Sequence, residues 1–391
     1  MANTHKSITR TLATLLILML LATVSYTETI KINSFPSFSN NLASTMQSTL
    51  KTANLQTQQT NSLFNIQGLF DNINVDTSKT GGNIIQGSGN QMQGVSNRLS
   101  GSNNSLIGVN TTIVGDLNKA FGLSNTIFGS SNEIVKGNNN QIKGSSNLLQ
   151  GCNNTLVGSQ NTVQGDVNSL IGNQNNLKGT NNTLIGNQNN LAGDHNVAVG
   201  DQNTLIGSSN SVNGSQNKLK GDSNAVNGNS NQVVGDQNLV IKDNNKVAGS
   251  QNAVNGNNNT LIGSQNQLTG DLNSVKGNLN LVNGNKNLLA GDQNAVDGSF
   301  NGVGGSKNTV SGSQNMVLGD QNKLVNSNNN QVNGSLNTIQ NGDDNMVQGS
   351  VNKLTGSGNK LLANNSTVSG NKNELIGNNL LIQGNENLAK G

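Results

Sequence analysis

The residues able to act as acid, base or nucleophile are few. Beyond the first 25 residues the chain has one histidine, His195, and one cysteine, Cys152. An enzyme needs several such groups converging on one point, so no catalytic residues and no cofactor are expected. Both residues fall at variable positions of a sequence repeat, where small or surface turn residues are the expected roles. A lone cysteine makes no internal disulfide.

Carboxylates form the next class. Asp166, Asp194, Asp201, Asp236, Asp271 and Asp292 each follow a glycine directly. Calcium-binding rolls carry their aspartate in a nonapeptide unit, G-G-x-G-x-D-x-U-x. The spacing here is built on seven and the aspartates are irregular, so no metal site is expected. Asn-x-Ser/Thr sequences at Asn103, Asn110, Asn153, Asn181, Asn213, Asn258, Asn333, Asn364 and Asn365 permit glycosylation in a secretory pathway. Most arise wherever an Asn-rich corner precedes Thr or Ser. The net charge of +3 is spread over scattered lysines, which gives no footprint for nucleic acid or an anionic membrane.

The repeat itself must therefore carry the function. From Thr80 onward the chain reads as G-x-x-N-x-[LVI]-x, as in GSQNTVQ at 158, GDVNSLI at 165, GNQNNLK at 172 and GTNNTLI at 179. The unit recurs about 44 times, with one extra residue in the units beginning at Gly129, Asn326 and Asn341. The fourth-position Asn is replaced at Thr111, Ser366 and Leu380. A period of seven invites a coiled coil, but that needs two apolar positions per heptad, and glycine in nearly every unit opposes helix.

An all-β solenoid satisfies the same pattern. Glycine at position 1 supplies a positive-φ corner, and positions 5 to 7 form a short strand with position 6 inward and positions 5 and 7 outward. Two units close a coil of about 14 residues, and about 22 coils at strand spacing make a rod on the order of 105 Å long. The extra residues are expected to be small bulges. One apolar residue per unit is a thin core, so the repeated Asn is expected to satisfy corner backbone groups and to stack as an amide ladder.

The rest of the chain reads as processing and capping sequence. Lys6 and Arg10 precede an apolar run from Leu12 to Ala22, followed by Thr23, Val24 and Ser25. This is a secretory signal peptide over residues 1–25, too short for a membrane span, which makes the mature chain extracellular. Residues 26–79 form a polar leader containing Pro36, in which Leu42, Met46 and Leu50 could line one face of a short capping helix. The solenoid is expected over residues 80–391.

Alternate units belong to opposite faces of such a coil. One outward face carries Thr112/Val114, Thr126/Phe128, Gln141/Lys143, Thr155/Val157, Ser169/Ile171, Thr183/Ile185 and Val197/Val199. The other carries Lys119/Phe121, Glu133/Val135, Leu148/Gln150, Thr162/Gln164, Asn176/Lys178 and Asn190/Ala192. The first is a stripe of hydroxyl and methyl groups, interrupted once; the second is mixed. Beyond residue 200 the asymmetry fades, with Thr204/Ile206 and Thr260/Ile262 isolated. β-Branched residues also suit strands for their own sake, so the stripe has two readings. A rigid lattice at about 4.8 Å between coils and about 6.6 Å along a strand suits a periodic partner, ice or a polymer.

The repeat resembles the ice-binding β-roll of ryegrass and related grasses, whose unit is x-x-N-x-V-x-G; GSNNSLIG at 101 and GSQNTVQG at 158 carry the likeness. The resemblance implies a left-handed roll with inward Val and Asn ladders, and one flat face that adsorbs to ice and inhibits recrystallisation. Carried over, that face is Thr112, Val114, Thr126, Thr155, Val157, Ser169, Ile171, Thr183, Ile185, Val197 and Val199. The array here is longer, Leu often replaces Val, and Lys and Gln enter both faces. A second resemblance, to the β-roll heads of bacterial trimeric adhesins, implies instead a structural or adhesive surface protein that binds a glycan or associates with its own copy.

Overall fold

A computed structural model of the chain describes residues 82–370, 374–377, 381–383 and 388–390. The expected signal peptide and leader, with Leu42, Met46 and Leu50, lie outside the described residues. Forty-four short strands run from β1 (Ile84–Gln86) to β44 (Leu388–Lys390), and among the described residues there is no helix. Odd-numbered strands stack into one parallel sheet, here sheet A, and even-numbered strands into a second, sheet B, with 22 strands in each. The partner of each residue lies 14 positions along, as in Ser169↔Thr183 and Leu170↔Leu184, or 15 where an inserted residue intervenes, as in Thr126↔Gln141. The expected two-unit coil is therefore the fold.

From Leu99 to Val368, position 6 of each unit points into the slot between the sheets. Leu156, Leu170 and Leu184 from sheet A and Val163, Leu177 and Leu191 from sheet B are all at most 2 % exposed. With one side chain per strand the core is a single file of Leu, Val and Ile, thinner than burial alone would sustain against the ordering of the backbone. The hydrogen bonds of the corners make up what the core lacks.

Nearly every corner N–H has an identifiable acceptor one coil away, as buried backbone requires. Positions 1, 3 and 5 donate to carbonyls of the adjacent coil, illustrated by Gly193→Lys178, His195→Thr180 and Val197→Asn210, at 2.9, 3.0 and 2.8 Å. Position 4 donates to a side chain instead: the Asn196 N–H reaches Asn182 Oδ1 at 2.8 Å. The Asn196 amide donates to the same oxygen at 3.1 Å and to the Gly207 carbonyl at 2.9 Å. The expected amide ladder is present, and its asparagines are fully buried. Where Asn is replaced, Thr111 accepts the Asn125 N–H through its hydroxyl at 3.3 Å, and Ser366 is buried in the same column. Leu380 lies outside the described residues.

Position 2 follows the same logic, which sequence reasoning did not anticipate. Its N–H donates to the oxygen of the position-2 side chain on the next coil: Cys152 to Asp166 at 2.6 Å, Thr180 to Asp194 at 2.7 Å, Ser159 to Asn173 at 2.7 Å. Asp, Asn and Ser recur there because each offers a short acceptor.

The corners hold two further constraints. Gly186 has φ +137°, and a Cβ added there would stand 2.0 Å from the Gly200 carbonyl oxygen. Glycine is thus required by the approach of the next coil as well as by its dihedral. Position 3 adopts the left-handed region although it is rarely glycine: Val167 and Leu272 sit at φ 60° and 61°. L-residues pay about 1–2 kcal/mol for that conformation.

Of the three extra residues, one is a bulge: against the strand Leu148–Gln150, the register skips Val135, with Leu149↔Ile134 followed by Gln150↔Lys136. The other two are not strand bulges. Asn326 and Asn341 enter the same corner on successive coils at φ 49° and 50°, and the Asn326 amide donates to Asn341 Oδ1 at 3.4 Å. A corner tolerates an added left-handed residue without disturbing the ladder beside it.

Candidate functional site

The strands carrying the hydroxyl–methyl stripe are consecutive members of sheet A. They run through β5 (Thr112–Val114), β7 (Thr126–Phe128), β9 (Gln141–Lys143), β11 (Thr155–Val157), β13 (Ser169–Ile171), β15 (Thr183–Ile185) and β17 (Val197–Val199). Register is unbroken along position 5, from Thr112↔Thr126 through Thr155↔Ser169 to Thr183↔Val197. Position 7 aligns in parallel, with Val157↔Ile171 and Ile185↔Val199. All eleven expected residues thus fall in two columns on one sheet. Phe128 extends the second column, and Gln141 and Lys143 interrupt both.

Accessibility separates the two sheets. In the same coils the outward residues of sheet B are exposed, including Thr162, Gln164, Asn176 and Lys178. Those of sheet A are half-buried at Thr112, Val114, Thr126, Val157, Ile171, Ile185 and Val197, and Val199 is exposed. β-Branched neighbours in register pack side by side, which leaves a low surface on sheet A.

Three positions depart from the expectation of open outward side chains. Thr155, Ser169 and Thr183 are 6, 3 and 2 % exposed, whereas Ser211, two coils beyond Thr183 at the same position, is half-buried. Nearby, Gln141 Oε1 is buried with no hydrogen-bond partner.

The other chemistry-bearing residues lie away from this face. His195 is an exposed corner residue at φ 58°. Cys152 is half-buried in a corner, its sulfur accepting the Asn138 N–H at 3.4 Å. Asp201 accepts the Asn187 N–H at 2.6 Å and Asp292 that of Asn278 at 2.6 Å. The aspartates are corner acceptors, which accounts for their recurrence at position 2 without a bound ion.

The model of one family, the grass antifreeze beta roll, matches residues 169–256, 241–319 and 311–391. Those overlapping stretches span more than half of the chain. The chain belongs to the grass antifreeze beta-roll family. It is an ice-binding family and not a family of enzymes. Within the beta roll, Ser169, Ile171, Thr183, Ile185, Val197 and Val199 fall inside the matched residues, while Thr112 to Val157 precede them. No curated protein matches the chain.

Proposed function

We propose that this beta roll is a secreted protein that adsorbs to ice through sheet A and restrains recrystallisation, acting without catalysis or cofactor. The observation that carries the reading is the register of sheet A: Thr/Ser and Val/Ile columns run from Thr112 to Val199, interrupted at Gln141 and Lys143. Such a surface offers hydroxyl and methyl groups on a lattice of about 4.8 by 6.6 Å, suited to a partner that is itself periodic. Thr112, Val114, Thr126, Thr155, Val157, Ser169, Ile171, Thr183, Ile185, Val197 and Val199 are the proposed contacts.

The test is an ice-recrystallisation assay on the purified chain, beside a heat-denatured sample and a non-binding protein at equal concentration. Crystals that stay small at low protein concentration support the reading. Coarsening equal to that of the controls refutes it and favours the adhesive alternative.

A further inference from the structure

Beyond residue 200 the exposed large apolar side chains borne on strands all lie on sheet B. They are Ile206, Val234, Ile262, Leu288, Met316, Leu318, Met346, Leu362 and Ile376. Over the same coils the described side chains on the strands of sheet A include none of this class. Leu288 and Met316 are 61 and 53 % exposed, so these side chains stand clear of the sheet. The exposed apolar residues alternate with lysine, serine and glutamine along most of the sheet, but across the three successive strands Leu288–Ala290, Gly302–Gly304 and Met316–Leu318 every outward position is apolar or glycine, a continuous surface of the kind that marks an interaction site.

The relief of the patch identifies its partner. Strand β32 (Gly302–Gly304) has glycine at both outward positions; a Cβ added at Gly302 would meet nothing within 4 Å, whereas one at Gly304 would meet Leu318 Cδ2 at 3.0 Å, so the open notch is at Gly302. The next strand of the sheet, β34 (Met316–Leu318), carries two long side chains. A notch and a ridge therefore lie one coil apart. We propose that a second copy of this chain packs face to face on this part of sheet B, with the solenoid axes antiparallel, about a two-fold axis between β32 and β34. The ridge of each copy then fills the notch of the other, as a self-complementary two-fold interface requires.

The same axis fixes every other pairing. Ile262 meets Leu362 and Ala248 meets Ile376, joining apolar to apolar. Lys246 meets Glu374, which within its own chain lies only 3.5 Å from the exposed Lys360. Lys276 meets Gln348 and Lys360 meets Thr260, so no like charges oppose. Stacking the axes parallel instead sets notch on notch and ridge on ridge, leaving a void beside a clash. The ten even-numbered strands from β24 (Lys246–Ala248) to β42 (Glu374–Ile376) bury a strip of about 48 by 10 Å on each copy, roughly 1,000 Å² in total, at the lower limit of specific interfaces. Association is thus concentration-dependent. The arrangement leaves sheet A outward on both copies, and the inference stands whether or not sheet A binds ice.

Disulfide trapping tests it on the full chain with Cys152→Ser. Leu288→Cys and Gln331→Cys are three coils apart within one chain, beyond disulfide reach, but oppose each other between copies. Mild oxidation should give a covalent dimer, at least tenfold faster than the pair Leu288→Cys and Met346→Cys, which is one coil out of register. Gly302→Arg, placed where the fold has open space, should weaken dimerisation at least tenfold in sedimentation equilibrium. Monomer throughout, equal trapping of both cysteine pairs, or a dimer unaffected by Gly302→Arg would overturn the proposal.

Discussion

Replacing Asn196 by alanine removes four hydrogen bonds at once. Its amide no longer donates to Asn182 Oδ1 or to the Gly207 carbonyl. Its oxygen no longer accepts the backbone N–H of Asn210 at 2.9 Å or the Asn210 amide at 3.1 Å. The Asn210 side chain keeps its bond to the Gly221 carbonyl at 2.9 Å, but its backbone N–H is left buried and unmet. Four bonds at about 0.5–1.5 kcal/mol each, with a stranded donor costing about 1–3 kcal/mol, place the loss at roughly 3–9 kcal/mol. In a solenoid the damage stays with the neighbouring coils. Hydrogen exchange read by mass spectrometry should therefore show protection across residues 190–215 falling by at least about 100-fold, with little change near residue 330. Asn196→Thr should fall between wild type and alanine, since Thr111 shows that a hydroxyl replaces one of the lost acceptors. Unchanged protection around Asn196→Ala would refute the argument that the ladder supplies what the single-file core cannot.

Gly186→Ala forces a Cβ to within 2.0 Å of the Gly200 carbonyl oxygen at φ +137° and should cost more than about 3 kcal/mol, while Gly302→Ala, with open space around it, should cost less than about 0.5 kcal/mol; thermal melts of both variants make the comparison. Asp201→Asn keeps the oxygen that accepts the Asn187 N–H and should melt within a degree or two of wild type, Asp201→Ala should lose about 1 kcal/mol, and a chelator should leave the melting temperature unchanged in all three.

Much of this architecture was legible because the repeat states the same constraint many times over. Glycine, Asn and an apolar residue at positions 1, 4 and 6 point to corner, ladder and core, and each of those assignments holds from Leu99 to Val368. What escaped the reading are effects between coils. That the position-2 N–H lacks a backbone partner cannot be seen in one unit, so the recurrence of Asp166 and Asp201 had no explanation in the sequence until they proved to be acceptors for the coil before. The left-handed corner at position 3 was hidden by residues as unlike as Val167, His195 and Phe300, which carry no sequence signal for that conformation. Asn326 and Asn341 were counted correctly but assigned to strands, since an insertion in a heptad does not say which position received it. On the proposed face the columns were readable from the alternation of Thr and Val, whereas the low exposure of Thr155, Ser169 and Thr183 has no signal in the repeat.

The central claim is that sheet A is the side that meets ice, and opposed lysine pairs test it most directly. Ile171→Lys with Ile185→Lys places two charges on half-buried positions of sheet A; Gln150→Lys with Gln164→Lys places the same charges on exposed positions of sheet B in neighbouring coils. Partition of each purified variant into a slowly grown ice hemisphere should fall to the level of a non-binding protein for the sheet A pair and match wild type for the sheet B pair. Equal partition of both variants, or loss confined to the sheet B pair, would contradict the assignment.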